Sequence, residues 1–207
     1  MKKQLLMLSL SALLAACGGE DKQAQAPGHT NSTNGQTKTS ANFDKAALTE
    51  KAKTAVQTLG ATLKSELEVA MKAGGPLNAL SICNTKALEI ASKVSLGQGL
   101  QVSRVSLKNR NPGNAANDWQ IKVLNDFETR KVAGEDPTTL SYTEMVGDEF
   151  RFMKAIPTGN VCLGCHGTNI SPAVTAKLAE LYPLDKATGY KEGDLRGAFV
   201  AVKNFAL

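Results

Sequence analysis

Residues 140–166 read LSYTEMVGDEFRFMKAIPTGNVCLGCH. Leu140 to Val146 and Glu149 to Ile156 carry the β-branched and aromatic residues of two strands, and Gly147-Asp148 between them is a hairpin signal. An antiparallel strand pair is therefore expected. Directly after it comes Cys162-Leu163-Gly164-Cys165-His166. Two cysteines two residues apart, followed at once by histidine, have the spacing at which a c-type haem is attached. Each thiol can add across one vinyl group of the porphyrin, and the adjacent imidazole can bind the iron axially. Gly164 and Gly167 suit a turn whose backbone passes close to a flat ligand. A bare C-x-x-C also suits a thioredoxin-like redox pair or half of a zinc site.

Upstream of the hairpin the periodicity is helical. Asp44 to Ala73 places Leu48, Ala52, Leu59, Leu63, Leu67 and Met71 at helical spacing and ends at Gly74-Gly75. Pro76 can open a second helix running to about Val94 and stopping near Gly97. Two antiparallel helices joined by a tight glycine turn are expected. Gln101 to Leu107 then reads as a strand, and Lys108 to Asn117 as a loop. Asp118 can cap a helix with Trp119, Leu124 and Phe127 on one face, ending by Gly134. Beyond the cysteine motif, Pro172 to Leu181 is a short helix and Arg196 to Val202 a final strand. Helices first, then strands interleaved with a helix, indicate an α+β domain with an antiparallel sheet.

The first 42 residues differ in kind. Lys2-Lys3 precede a short apolar run, Leu5 to Leu14, with the charge and length of a signal peptide. Leu14-Ala15-Ala16-Cys17 resembles the lipobox of bacterial lipoproteins, which implies cleavage before Cys17 and acylation of that cysteine. Gly18-Gly19 in place of an aspartate implies the outer membrane. Residues 1–16 are thus read as a lipoprotein signal peptide, with the protein held in the cell envelope by lipid and facing the periplasm. Residues 17–42 are too polar to build a core and are read as a flexible tether, His29 included. Residues 43–207 are a normal size for one domain.

The formal charge of +5, with mixed signs, argues against nucleic acid as a partner. Aromatics are 5% of the chain, few for filling a core, and a buried porphyrin would supply the missing flat apolar body.

Four stretches carry a wider resemblance: Ala79-Leu80-Ser81-Ile82-Cys83; Arg104 to Asn114 (RVSLKNRNPGN); Cys162 to Gly167; and Tyr190 to Gly197 (YKEGDLRG). On these the chain resembles the PAS-like c-type haem-binding domains, known as single-domain cyanobacterial haem proteins and as sensor modules of membrane kinases. The resemblance implies a PAS-like antiparallel sheet flanked by helices, two long N-terminal helices and one covalent haem. It also implies an axial pair made of His166 and Cys83. Position 105 is Val where many relatives carry Thr, a departure touching one pocket hydrogen bond.

With Cys17 taken by lipid and Cys162 and Cys165 by thioethers, Cys83 is the remaining thiol of four. It is either an iron ligand or a small core residue. Arg104, Arg110 and Arg196 are candidates to pair with haem propionates, since a guanidinium binds a carboxylate through two parallel bonds; the alternative is ordinary surface arginines. Trp119 is read as a core or pocket-wall residue, and Met71, Met145 and Met153 as core positions and not iron ligands. No enzymatic constellation is visible. Three functions compete: electron transfer with an unidentified redox partner, a haem-based redox or gas sensor acting through a partner protein, and a structural Cys₃His zinc site built from Cys83, Cys162, Cys165 and His166.

Overall fold

The computed structural model describes residues 44–206, and these belong to one compact unit, Asn42–Leu207. The expected signal peptide and tether, with Cys17 and His29, lie outside the described residues. Helix α1 spans Lys45–Gln98, opened by Asp44, whose carboxylate accepts from the amides of Ala46 and Ala47 at 2.9 and 3.0 Å. It is interrupted at Gly74 and Gly75, whose backbone is non-helical; Gly75 has φ 68°. The interruption reverses the chain. Lys86 Nζ lies 3.1 Å from Glu66, twenty positions earlier, whereas an unbroken helix would hold such residues about 30 Å apart. The expected helical hairpin therefore forms, with arms 45–73 and 76–98. Gly99, left-handed at φ 58°, ends the second arm.

Strands β1 (Gln101–Val105), β2 (Ser141–Val146), β3 (Glu149–Pro157) and β4 (Leu195–Asn204) form an antiparallel sheet in the order β1-β4-β3-β2. Alternation along the strands sorts residues between two faces. Phe150, Phe152, Val102 and Ala201 face α1, where Ala52, Ala55, Val56 and Leu59 are buried against them. Met153, Ala155, Val105 and Val200 face the other way, onto Val123, Leu124 and Phe127 of α2 (Asp118–Val132). Full burial of Phe127, Phe150 and Phe152, each 0% exposed, contributes roughly 1.5–3 kcal/mol apiece relative to exposure. The expected α+β architecture is the one observed. Among the described residues no helix is long and apolar enough to cross a membrane.

Several element boundaries differ from the sequence expectation, and three of them have a local cause. Strand β1 stops at Val105 and not Leu107, because Ser106 leaves the ladder: its amide donates to Asn114 O at 3.0 Å, and its hydroxyl donates to Arg196 O at 2.8 Å. Helix α2 is capped by Asn117, not Asp118; Asn117 and Gln120 exchange side-chain-to-backbone bonds in a capping box. Asp118 instead sits in the first turn, where a carboxylate complements the helix dipole. Strand β4 extends to Asn204, and the amide of Phe205 just beyond it donates to Asp148 O at the hairpin turn.

Candidate functional site

Past Pro157 the chain makes one 3₁₀ turn, Asn160–Cys162, and the short helix α3, Leu163–His166. The step out of α3 requires glycine, since a Cβ on Gly167 would lie 2.5 Å from Leu163 O. This segment roofs a cavity of about 430 Å³ bounded by both arms of α1, by β1, by β4 and by the loop after β1. Cys83, Arg104, Arg110, Cys162, Cys165, His166 and Arg196 all line it. Every candidate residue in the described part of the chain is thus brought to one place.

Helix α4 (Pro172–Leu181) brings Cys83 there. Leu80, 4% exposed, packs with Val174 and Leu178 of α4, and Cys165 lies against the same cluster. Three residues on from Leu80, on the same stripe of the second arm, Cys83 enters the cavity beside the motif. Burial pushes its thiol pKa up, against the opposing pull of Arg104 and Arg110. Cys165 is likewise raised, chiefly by burial. Neither is a plain core cysteine: both face space, and both are half-buried.

The imidazole of His166 is oriented by one bond, Nδ1 to the carbonyl of Ala187 at 2.7 Å. A carbonyl only accepts, so Nδ1 carries the proton and Nε2 keeps its lone pair. Burial first, then Arg196 and Arg110, lower the imidazole pKa to about 3, and the bond to Ala187 offsets part of this. At neutral pH the ring is a neutral donor base suited to a metal.

The three arginines are not equivalent. Arg196 donates to Ser106 Oγ and Lys108 O at 3.1 and 3.2 Å, and its Nε is buried with no hydrogen-bond partner. Arg104 is substantially buried, and desolvation works against its charge. Arg110 is bonded within the protein: to Asp185 Oδ2 at 3.1 Å, to Cys165 O at 2.6 Å and to Ala187 O at 3.3 Å. Among the described residues no carboxylate lines the cavity, while Lys64, Arg104, Arg110 and Arg196 do. The walls otherwise are mostly apolar, with Leu59, Leu63, Leu67 and Met71 from the first arm. An apolar, flat ligand bearing carboxylates and an open metal coordination sphere fits this set of groups.

Asp185 and the Ala187 carbonyl carry no sequence signal as site residues; they belong to a loop that sequence reading leaves blank, just before the stretch from Tyr190 that carries the resemblance. Of the two readings of Trp119 the core one holds: it does not line the cavity but packs with the α2 cluster, stacked on Tyr142 at 6.3 Å. Met145 and Met153 pack in the core as expected, but Met71 lines the cavity. No three His, Cys, Asp or Glu side chains among the described residues converge closely enough to hold one ion. That geometry speaks against Cys83, Cys162, Cys165 and His166 as a tetrahedral zinc site.

The sequence matches the Tll0287-like family over residues 39–202. The chain belongs to the Tll0287-like family. Its fold is similar to that of the cyanobacterial heme-protein Tll0287 in a crystal structure, with TM-score 0.62 and 24% identity over 79% of this chain and 98% of that one. No curated protein matches. The family match spans the arms of α1, the sheet and the cysteine motif, so the cavity lies wholly within the shared region.

Proposed function

We propose that this Tll0287-like protein is a mono-haem c-type cytochrome of the cell envelope that transfers single electrons, anchored through lipid on Cys17. The observation that carries the reading is the convergence of Cys162, Cys165 and His166 with Cys83, contributed by a different element, on one apolar and cationic cavity. Cys162 and Cys165 would hold the haem by thioether bonds, and His166, already a Nδ1–H tautomer through Ala187, and Cys83 would offer its iron a ring nitrogen and a sulfur. The bound haem supplies one-electron chemistry at its iron. The protein's own part is to exclude water with the two arms of α1, to keep the imidazole neutral, and to balance carboxylates with Arg104 and Arg196. The buried, unpartnered Nε of Arg196 supports that last role, because such a group costs stability unless a ligand completes it.

The test is expression in a host with c-type haem attachment machinery. A Soret band that survives acid–acetone extraction, and is lost in Cys162→Ala/Cys165→Ala, is expected. A colourless protein, or pigment fully extracted by acid–acetone, would overturn the reading.

A further inference from the structure

The segment 185–190 is tied by hydrogen bonds along the cysteine motif. Ala187 O accepts from His166 Nδ1, Gly189 N donates to Gly167 O, and Tyr190 N donates to His166 O, at 2.7, 2.9 and 2.9 Å. On its other side the segment is held by the loop after β1. Lys186 N donates to Asn109 O and Lys108 Nζ to Thr188 O, at 3.0 and 2.5 Å. Arg110 joins all three parts. Its Nε meets Asp185 Oδ2, and one Nη donates both to Cys165 O in the motif and to Ala187 O in the segment. Asp185 is fixed in turn by the Ala187 amide, which donates to its other oxygen at 2.8 Å. The Arg110 and Asp185 side chains are each only 10% exposed.

We propose that Arg110 and Asp185 form a positioning pair for the His166 imidazole, acting through the Ala187 carbonyl and not through contact with the ligand's carboxylates. This rests on the haem reading above. A buried pair of this kind loses far more when one partner is removed than it contributes as a pair, because the remaining charge is stranded. Removing either partner therefore releases the same segment. The geometry also separates this role from a carboxylate clamp. Asp185 does not line the cavity, so its hydrogen bonds reach the haem ligand by way of Arg110 and Ala187. A lysine at 110 has no planar fork with which to reach Asp185, Cys165 and Ala187 together.

The experiment uses the full chain carrying covalent haem and compares Arg110→Gln, Arg110→Lys, Asp185→Asn and Arg104→Gln. Solvent exchange of the His166 Nδ1 proton, followed by NMR in the diamagnetic ferrous state, reads the bond directly. The midpoint potential is measured alongside. Arg110→Gln, Arg110→Lys and Asp185→Asn are expected to speed exchange at least tenfold, and Arg104→Gln, at a cavity residue that does not bond the segment, to speed it far less. Arg110→Gln and Asp185→Asn change the charge in opposite senses, yet the potential should shift in the same direction in both. Parent-like exchange in Asp185→Asn, or potentials shifted in opposite directions, would overturn the proposal and leave Arg110 acting through its charge alone. Should Arg110→Gln fail to fold, Asp185→Asn against Arg104→Gln decides the matter. A parent chain without covalent haem refutes the underlying function instead, and the acid–acetone test detects that separately.

Discussion

Replacing Gly197 by alanine tests how closely β1 and β4 must approach for the cavity to exist. Gly197 has φ 151°, and a Cβ built on it would lie 2.2 Å from Val105 O and 3.1 Å from Ser106 Cβ. Carbon and oxygen tolerate about 3.3 Å at closest, so the two backbones must part by roughly 1 Å. Both atoms in the way belong to the main chain or its first side-chain carbon, and no flexible end can swing aside. Overpacking of this sort costs about 1–3 kcal/mol, and the unfavourable φ adds roughly 1–3 kcal/mol more. For a domain of this length each kcal/mol moves the melting temperature by about 2–4 °C, so a fall of at least about 4 °C is expected. Gly97→Ala is the matched control. Gly97 lies in the last turn of α1 with open space around its Cβ position and no positive φ; that substitution should raise stability by up to about 1 kcal/mol. Thermal and urea denaturation of both variants give the answer. If Gly197→Ala melted with the parent, the inferred contact between Val105 and Gly197 would be wrong.

Asn117→Ala removes one half of the capping box and should cost about 1 kcal/mol in urea denaturation, with Asp118→Ala costing less; the reverse order would restore Asp118 as the cap. Cys83→Ala should convert the ferric absorption spectrum from low-spin six-coordinate towards high-spin, and reduced protein should then take up carbon monoxide readily; an unchanged spectrum would make Cys83 a packing residue. With thiolate and imidazole as ligands the midpoint potential should lie towards the reducing end of the roughly 0.8 V that axial ligands span, and a strongly positive value by potentiometry would contradict that pair. In Cys162→Ala/Cys165→Ala, His166 should remain neutral to about pH 3, while the unfolded chain protonates it near pH 6.5. Its neutral form therefore adds stability in full above about pH 6.5, and that contribution is lost as pH falls towards about 3. Urea denaturation at pH 7 and pH 5 should show a drop that His166→Gln reduces; an equal drop in both would refute it.

Much of the fold is legible because local signals agree with one another. The Gly147-Asp148 turn sits between two alternating runs, and Gly74-Gly75 separates two helical ones, so each reversal has its own chemistry. The cap of α2 is read one residue late because Asn117 and Asp118 are both competent, and only the reciprocal bond from Gln120 decides between them. At the site, Cys162, Cys165 and His166 are legible from spacing alone, and Cys83 from family resemblance and the count of thiols. Asp185 and the Ala187 carbonyl are not. Their role depends on two loops meeting, residues 108–110 and 185–190, and neither loop has a periodicity or a motif that points to the other. Trp119 is left between core and pocket wall for a related reason: an apolar helical face is visible in sequence, but which side of the sheet it covers is not, and the structure settles it as core.

The strand order has a consequence for the timing of assembly. Strand β4 is the last made of the four, yet it lies between β1 and β3, and its pairing with β1 joins residues about a hundred positions apart, such as Gln101 with Val202. Until it inserts, β1 has no neighbour in the sheet. Arg196 is missing from the cavity, and Ser106 lacks the carbonyl that its hydroxyl holds ninety positions away. Contacts of such long range form slowly, because the loop between them must close before either end gains anything. The hairpin that leads into Cys162 can form early and locally. A chain emerging in this order therefore passes through an interval in which both motif thiols are already delivered by a formed hairpin but are not yet enclosed. An enzyme that attached a group to those sulfurs would have unobstructed access in that interval, before the final strand shuts the wall.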